Sequence, residues 1–339
     1  MEMELVGQSR VLHVRWGKEN FSIELSATST LWDLKQRLLE RTRVLPDRQK
    51  ILGLAARPSL LSDSVVLQDV CNKAEHNIVL IGTPEEQLCD FYRAASAPEV
   101  VNDLEEDDVR GKKVVFFEKS MEFLERKVMH LQISLLSDLR PQKRLLVLDL
   151  DNTLMHNSYA NSVQDAVRPG VHELLSAVYP FYDICIWSQT SWRWLEAKIT
   201  EMGLLFCPQY AISFVLDRLA MTTVTVRKKQ QVKKHSVKPL ELVWRKFPDH
   251  FSPKNTIHVD DLSKNFVLNP ENGLKISPYT TRDPNDRELF VLANYLVLIA
   301  QREADFSKVN HKKWKRYERK HRKEPDNNSN SNDMFQSLS

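Results

Sequence analysis

Leu148-Asp149-Leu150-Asp151-Asn152-Thr153 follows directly on the apolar run Leu145-Leu146-Val147, so two carboxylates and a hydroxyl emerge together where a buried strand should stop. Side chains alternate along a strand, which puts Asp149 and Asp151 on one side of its end while Leu148 and Leu150 address the core. Such a pair has a chemical use: one carboxylate attacks phosphorus while the other moves a proton to the leaving group. Acidic residues also cap strands and open loops, so this spacing alone does not decide the matter.

Three further segments repeat the pattern of strand followed by polar tip. Ile184-Cys185-Ile186-Trp187-Ser188-Gln189-Thr190 is a short apolar run ending in hydroxyls, and Val237-Lys238-Pro239-Leu240 sets one lysine in an apolar context. Ile257-His258-Val259-Asp260-Asp261 is another apolar run, ending in paired acids. In open α/β sheets the ligand lies outside the carboxyl ends of the strands, so distant residues converge where such tips meet. Helix-like stretches at roughly 171–179 and 192–202 fit right-handed crossovers between parallel strands.

These motifs resemble the haloacid-dehalogenase-like (HAD-like) phosphatases, and within them the FCP/SCP-type branch that removes phosphate from the tail of RNA polymerase II. Asp149 to Leu154, Arg168-Pro169-Gly170, Trp187-Ser188, Lys238-Pro239 and the run from Asp260-Asp261 to Asn265-Phe266 carry the likeness. With the N-terminal region included, the chain is similar to members of that branch that carry a ubiquitin-like domain, from about residue 11 to about residue 320. The implied fold is an α/β HAD-like catalytic domain, built on a Rossmann-like parallel sheet, with a separate N-terminal ubiquitin-like β-grasp domain.

The resemblance also implies roles. Asp149 would attack phosphorus and become a transient aspartyl phosphate, and Asp151 would protonate the leaving serine or threonine oxygen and then take a proton from water. Thr153 and Ser188 would donate to phosphoryl oxygens, and Lys238 would hold the charge developing on them. So many carboxylates around a dianionic substrate require a cation, and Mg2+ suits oxygen donors from Asp149, the Asp151 carbonyl and Asp261, with Asp260 among them or just behind. Taken singly, Thr153 reads as a loop cap, Ser188 as a strand end and Lys238 as a loop lysine. Arg168 has an alternative as a core salt bridge, and Asn265 as a residue holding the loop after Asp261.

Residues 11–82 read as a small self-contained unit. Val11-Leu12-His13-Val14-Arg15-Trp16 and Phe21-Ser22-Ile23-Glu24-Leu25 alternate on either side of Gly17-Lys18, a hairpin pattern. Thr30 with Asp33 opens a helix whose apolar face is Leu31, Leu34, Leu38 and Leu39, ended by Pro46. Short strands at 49–54 and 77–81 complete a pattern similar to the ubiquitin fold, and the absence of a Gly-Gly after Gly82 argues against conjugation. The resemblance implies docking to the 26S proteasome through Arg48, Lys50, Ile51 and Leu52 beside the third strand. Ala55-Ala56 stands where relatives tend to carry lysines. An ordinary strand core with a solvated face is the competing reading of those four residues.

An acidic linker is expected over 83–111, with the two domains moving relative to one another. The catalytic domain is expected over 112–323, opening with a helix from Lys112 to about Leu136. About thirty residues separate Thr153 from Ile184, too few for a cap domain plus a crossover helix, so the site should be open to a phosphoprotein substrate rather than a metabolite. Thr222 to Val226 reads as a strand of a small hairpin, and Arg227-Lys228-Lys229 as a basic loop, either solvated or attracting an acidic phosphorylated segment. In His311 to Lys323, basic residues interleave with Trp314 and Tyr317; a basic helix with its aromatics packed comes first, a nuclear signal second and nucleic-acid contact a distant third. Residues 324–339 are polar and are expected to be disordered.

Composition narrows the field. The 339 residues suggest two domains, and 42% hydrophobic with 27% charged residues is ordinary for a globular protein. Only 8 glycines and no G-x-x-x-x-G-K run argue against a glycine-rich phosphate cradle. The 4 cysteines lack C-x-x-C spacing, as expected of reduced thiols inside a cell, and no apolar stretch is long enough to span a bilayer. Nuclear localisation, a proteasome partner and no membrane or nucleic-acid partner are the resulting expectations. Two functions compete: a Mg2+-dependent protein serine/threonine phosphatase acting on proteasome subunits or on the polymerase C-terminal domain, and a catalytically degenerate adaptor.

Overall fold

The structure is a computed structural model and describes residues 9–17, 19–26, 28–54, 62–71, 75–84, 113–115, 118–157, 163–228 and 231–321. The expected linker beyond Pro84, Ala55-Ala56, Lys229 and the expected disordered tail lie outside them.

The N-terminal unit is a four-stranded sheet with a helix across it. Its strands are β1 (Ser9–Trp16), β2 (Glu19–Ser26), β3 (Lys50–Leu52) and β4 (Glu75–Ile81), in the order β2-β1-β4-β3. β1 runs antiparallel to β2 but parallel to β4, the β-grasp arrangement. Period-two alternation turns Leu12, Val14, Ile23, Leu25, Ile78 and Leu80 inward, where α1 (Leu31–Thr42) places Leu34 and Leu38 against them. Gly17 supplies the φ of 57° that the hairpin turn needs. A full capping box forms, with Asp33 N–H donating to Thr30 Oγ1 (3.3 Å) and Thr30 N–H donating to Asp33 Oδ2 (2.7 Å). α1 stops at Thr42, before Pro46, because Arg43 turns left-handed; Pro46 instead opens a 3-10 turn, Pro46–Arg48. A short α2 (Leu67–Val70) precedes β4.

The expected helix over 112–136 is a strand followed by a shorter helix. β5 (Lys113–Val115) carries the β-branched pair Val114-Val115, and α3 spans Glu118–His130. Beyond it lie the parallel strands β6 (Arg144–Leu148), β7 (Tyr182–Trp187) and β8 (Ile212–Leu216), connected through α4 (Val171–Val178) and α5 (Trp192–Glu201). A hairpin of β9 (Thr222–Lys228) and β10 (Gln231–Val237) follows; β5 pairs with β9, which removes β5 from any helix. The chain then forms α6 (Leu240–Lys246), β11 (Thr256–Asp260), β12 (Gly273–Lys275), α7 (Glu288–Arg302) and α8 (Trp314–His321).

The main sheet is parallel throughout, in the order β12-β11-β6-β7-β8. Both faces are covered, which is why its strands read as nearly unbroken apolar runs. Leu146 and Leu148 share one apolar cluster with α4, α5 and α7, and Leu145 and Val147 share another with Leu124 of α3 and Leu240 of α6. Between Met155 and Tyr182 the described residues form a 3-10 turn, Gln164–Ala166, and α4. α8 packs its aromatics as expected: Trp314 is buried and its indole donates to Lys275 O (3.2 Å), while Tyr317 donates to Glu303 (2.8 Å).

The two domains are in contact with one another. Leu52 and Ile81 belong to the same apolar cluster as Ile199 and Leu205 of the catalytic domain. Lys50 Nζ donates to Leu205 O (2.9 Å), Gly82 N–H donates to Glu196 Oε1 (2.8 Å), and Arg48 pairs with Glu201 (3.0 Å).

Candidate active site

Asp149 is the first residue beyond β6, and its N–H continues the ladder by donating to Val259 O of β11 (3.0 Å). β11 ends at Asp260 with Asp261 next, so the adjacent tips of β6 and β11 bring three carboxylates together. One oxygen from each of Asp149, Asp260 and Asp261 lies within 4.8 Å of the others. All three are buried.

Lys238 completes this group. Its ammonium is wholly buried and donates to Asp149 Oδ1 and to Asp260 Oδ2 (2.7 Å). Burial alone would favour a neutral amine, but the two carboxylates outweigh it and hold Lys238 charged, above the usual lysine range. Asp260 is the committed acid of the three. Burial raises its proton affinity, but Lys238 and the nearby His258 bring it below the ordinary range. Its Oδ2 also accepts from Asn265 Nδ2 (2.8 Å) and its Oδ1 from Leu262 N–H (2.8 Å).

Asp149 and Asp261 are pushed the other way. Burial and the charges of neighbouring carboxylates raise both above the carboxylate range, although Lys238 opposes the rise. Asp261 Oδ2 is buried with no hydrogen-bond partner among the described residues. Two buried acids short of positive charge, one with an orphaned oxygen, are the donor set that a hard divalent cation satisfies.

Asp151 sits apart from that cluster. Its Oδ2 accepts from Ser188 Oγ (3.0 Å), and its Oδ1 accepts from the buried ammonium of Lys198. Any role for Asp151 in metal binding therefore falls to its backbone carbonyl. Ser188 was expected to face the phosphoryl group, but its hydroxyl is bound to Asp151 and lies 2.9 Å from Thr190 Oγ1. Thr153 Oγ1 remains buried without a partner among the described residues, beside the turn in which Asn152 adopts a φ of 58°.

Arg168 is the core salt bridge foreseen as its alternative. Two nitrogens donate to Asp286 (3.0 and 2.9 Å), and a third donates to Thr153 O (3.2 Å), bracing the loop after β6. Asn265 holds both Asp260 and Lys238, the latter through Lys238 N–H donating to Asn265 O (3.2 Å).

Two residues escaped the sequence reading. Lys198 lies on the buried face of α5, three residues after Leu195 and next to Ile199, and a lysine inside such an apolar stripe was the available signal. His258, in the middle of β11, is stacked on Trp187 (centroids 6.4 Å apart) with its Nε2 3.4 Å from Asp260 Oδ2. Burial lowers its proton affinity, so it neighbours Asp260 as a neutral ring.

The remaining candidates lie elsewhere. Arg227 and Lys228 are at the end of β9, on the hairpin whose second strand leads into Lys238. Lys50 and Leu52 face the catalytic domain, while Ile51, one residue out of phase, points into the β-grasp core. Alternation excludes Ile51 from any surface shared with its neighbours.

Comparison with known proteins agrees with this geometry. Residues 144–307 match the family of NLI interacting factor-like phosphatases. Proteins named ubiquitin-like domain-containing CTD phosphatase 1 align along most of the chain. The Danio rerio protein is 42% identical over 90% of this chain and 96% of its own length. The Gallus gallus and Homo sapiens proteins are each 40% identical at the same coverage. Similarity to solved structures is local: one Arabidopsis thaliana protein aligns at 17% identity over 23% of this chain and 90% of its own, with a TM-score of 0.21. The full-length matches, joined to a β-grasp unit and a parallel sheet with acids at its strand tips, show that the chain belongs to the ubiquitin-like domain-containing CTD phosphatases and is a protein phosphatase of HAD-like fold.

Proposed function

We propose that the chain is a Mg2+-dependent protein serine/threonine phosphatase that works through an aspartyl phosphate, and that its β-grasp module recruits it to the 26S proteasome to act on proteasome subunits. The observation that carries the chemistry is Asp149 at the tip of β6, held by Lys238 and clustered with Asp260 and Asp261, with Asp151 two residues on.

A bond forms from the Asp149 carboxylate to phosphorus as the bond to the serine or threonine oxygen breaks, and Asp151 delivers a proton to that oxygen. Water then attacks phosphorus, Asp151 takes its proton, and inorganic phosphate leaves with Asp149 regenerated. Ser188 and Lys198 hold both oxygens of Asp151 in place for these two transfers. Thr153 supplies a free hydroxyl donor for the phosphoryl group, and Lys238 supplies fixed charge. Asp149, Asp261 and the Asp151 carbonyl would hold Mg2+, which when bound neutralises these carboxylates and polarises phosphoryl oxygens. Asp260, already saturated by Lys238, Asn265 and Leu262, supports it from behind.

The relatives' name, CTD phosphatase, favours a second substrate, which we read as the polymerase C-terminal domain. Turnover of a phosphopeptide panel drawn from both sources, with Mg2+ and with chelator, separates the two readings. Rapid quenching with labelled phosphopeptide is expected to trap phosphate on the wild type and none on Asp149→Asn; turnover retained by Asp149→Asn would overturn the mechanism. A nuclear address is part of the proposal, supported by the exposure of Lys312, Lys313, Lys315, Arg316, Arg319 and Lys320 around the packed aromatics of α8. A fluorescent fusion of the full chain that stays outside the nucleus would remove it.

A further inference from the structure

The basic and apolar face of β3, the part of the module expected to meet a partner protein, is already occupied. Lys50 and Leu52 are each 8% exposed, a level at which no outside protein can grip them. Their cover is the C-terminal half of α5 and the segment after it. Glu201 meets Arg48, Leu205 O accepts from Lys50, Glu196 accepts from Gly82 N–H, and Leu52 and Ile81 share an apolar cluster with Ile199. The pairing is complementary: around an apolar centre Arg48 meets the Glu201 carboxylate, Lys50 meets a carbonyl oxygen and the Gly82 N–H meets the Glu196 carboxylate, the mixture expected of a docked interface.

We infer that this face is an intramolecular docking surface whose resident occupant is α5 of the same chain, and that an outside acceptor reaches it only by displacing α5. This rests on the recruitment reading above. The occupant also describes the acceptor: a helix end with a carboxylate for Arg48 and an open carbonyl oxygen for Lys50, beside an apolar stripe for Leu52, is the chemistry this face recognises. Mass action follows, since an acceptor binds only the fraction of molecules in which the face is open.

The test uses the full chain and alters only the catalytic-domain side. Glu201→Arg sets two guanidinium groups against each other and leaves the module's own face unchanged. Glu201 has no part in the catalytic site, so hydrolysis of p-nitrophenyl phosphate should be unaffected. Two readouts are needed: hydrogen exchange at the Gly82 amide, which is bonded across the interface, and affinity for purified 26S proteasome. Exchange is expected to accelerate roughly tenfold and the Kd to fall by about the same factor, if the open state is about a tenth of the wild-type population. The charge swap Arg48→Glu with Glu201→Arg should restore protection of Gly82. Unchanged exchange in Glu201→Arg would overturn the inference, as would faster exchange with equal proteasome affinity. Faster exchange with no binding by either protein would overturn recruitment along with it, while phosphopeptide turnover reports on the catalytic half separately.

Discussion

Lys238 and Lys50 are both lysines in apolar surroundings, one at the strand tips of the phosphatase sheet and the other between the two domains. Lys238 meets two carboxylates and is held charged against its burial. Lys50 meets a single carbonyl oxygen, and burial pulls its proton affinity down. A cation fixed by two buried acids cannot be removed without stranding them; a cation resting on a carbonyl can return to water at little cost. The first arrangement suits a permanent catalytic charge, and the second suits a surface that opens and closes.

The sharpest way to break that contrast is to replace each lysine with methionine. Lys238→Met should lower kcat roughly 10²–10³-fold, as expected for loss of a fixed electrostatic donor. It should also cost about 3–5 kcal/mol of stability in thermal or urea unfolding, because Asp260 and Asp149 lose their counter-charge. Lys50→Met should stay within about 1 kcal/mol of the wild type and leave turnover of p-nitrophenyl phosphate unchanged. Equal effects of the two substitutions would refute the distinction.

Lys198 extends the series to an intermediate case, a buried lysine on Asp151, the proposed proton donor, rather than on Asp149, the proposed nucleophile. Lys198→Met should slow phosphoserine peptide turnover roughly 10- to 100-fold and p-nitrophenyl phosphate turnover clearly less, because that leaving group departs without a proton and only the later attack of water still calls on Asp151. Loss of the same size with both substrates would reduce Lys198 to a structural residue. A smaller effect, several-fold in KM, is expected on reversing the charges of Arg227 and Lys228, and for phosphopeptide only. An equal change with the small substrate would remove these residues from substrate recognition.

The last test concerns how releasable the interface is. Burial pushes the Glu196 carboxyl up to about 7, with the Gly82 N–H only partly offsetting it. Its proton affinity is higher docked than free, so its contribution to docking is full below the ordinary glutamate range and is lost as pH rises through about 7. Protection of the Gly82 amide should fall over that interval in the wild type. It should become independent of pH in Glu196→Gln, which keeps the hydrogen bond without the charge. The other charged residues of this interface, Arg48, Lys50 and Glu201, are common to both proteins.

Much of the catalytic half was legible because buried parallel strands are written as continuous apolar runs, and the polar residues that end them mark the ligand side of the sheet. Asp149 and Asp261 converge for that reason, whereas Lys238 reaches them from the end of the antiparallel hairpin strand β10. In the module, Thr30 and Asp33 disclosed a helix start through a purely local hydrogen-bond pattern. Val114-Val115 misled, because a short β-branched pair joins a helix pattern or a sheet according to what lies beside it, and β9 lies beside it. Ser188 was legible as a hydroxyl at a strand tip, but its bond to Asp151 was not, since a hydroxyl there turns toward whichever acceptor is closest in space.

The sequence by itself determined which residue types stand at the strand tips and where the first helix starts, since these depend on periodicity and on neighbours a few positions away. Only the tertiary structure decided that Asp149 shares Lys238 with Asp260, that Lys198 holds Asp151, and that Lys50 and Leu52 face α5. Charge state and accessibility depend on distances through space between segments that are tens to more than a hundred residues apart along the chain, and no local pattern carries those distances.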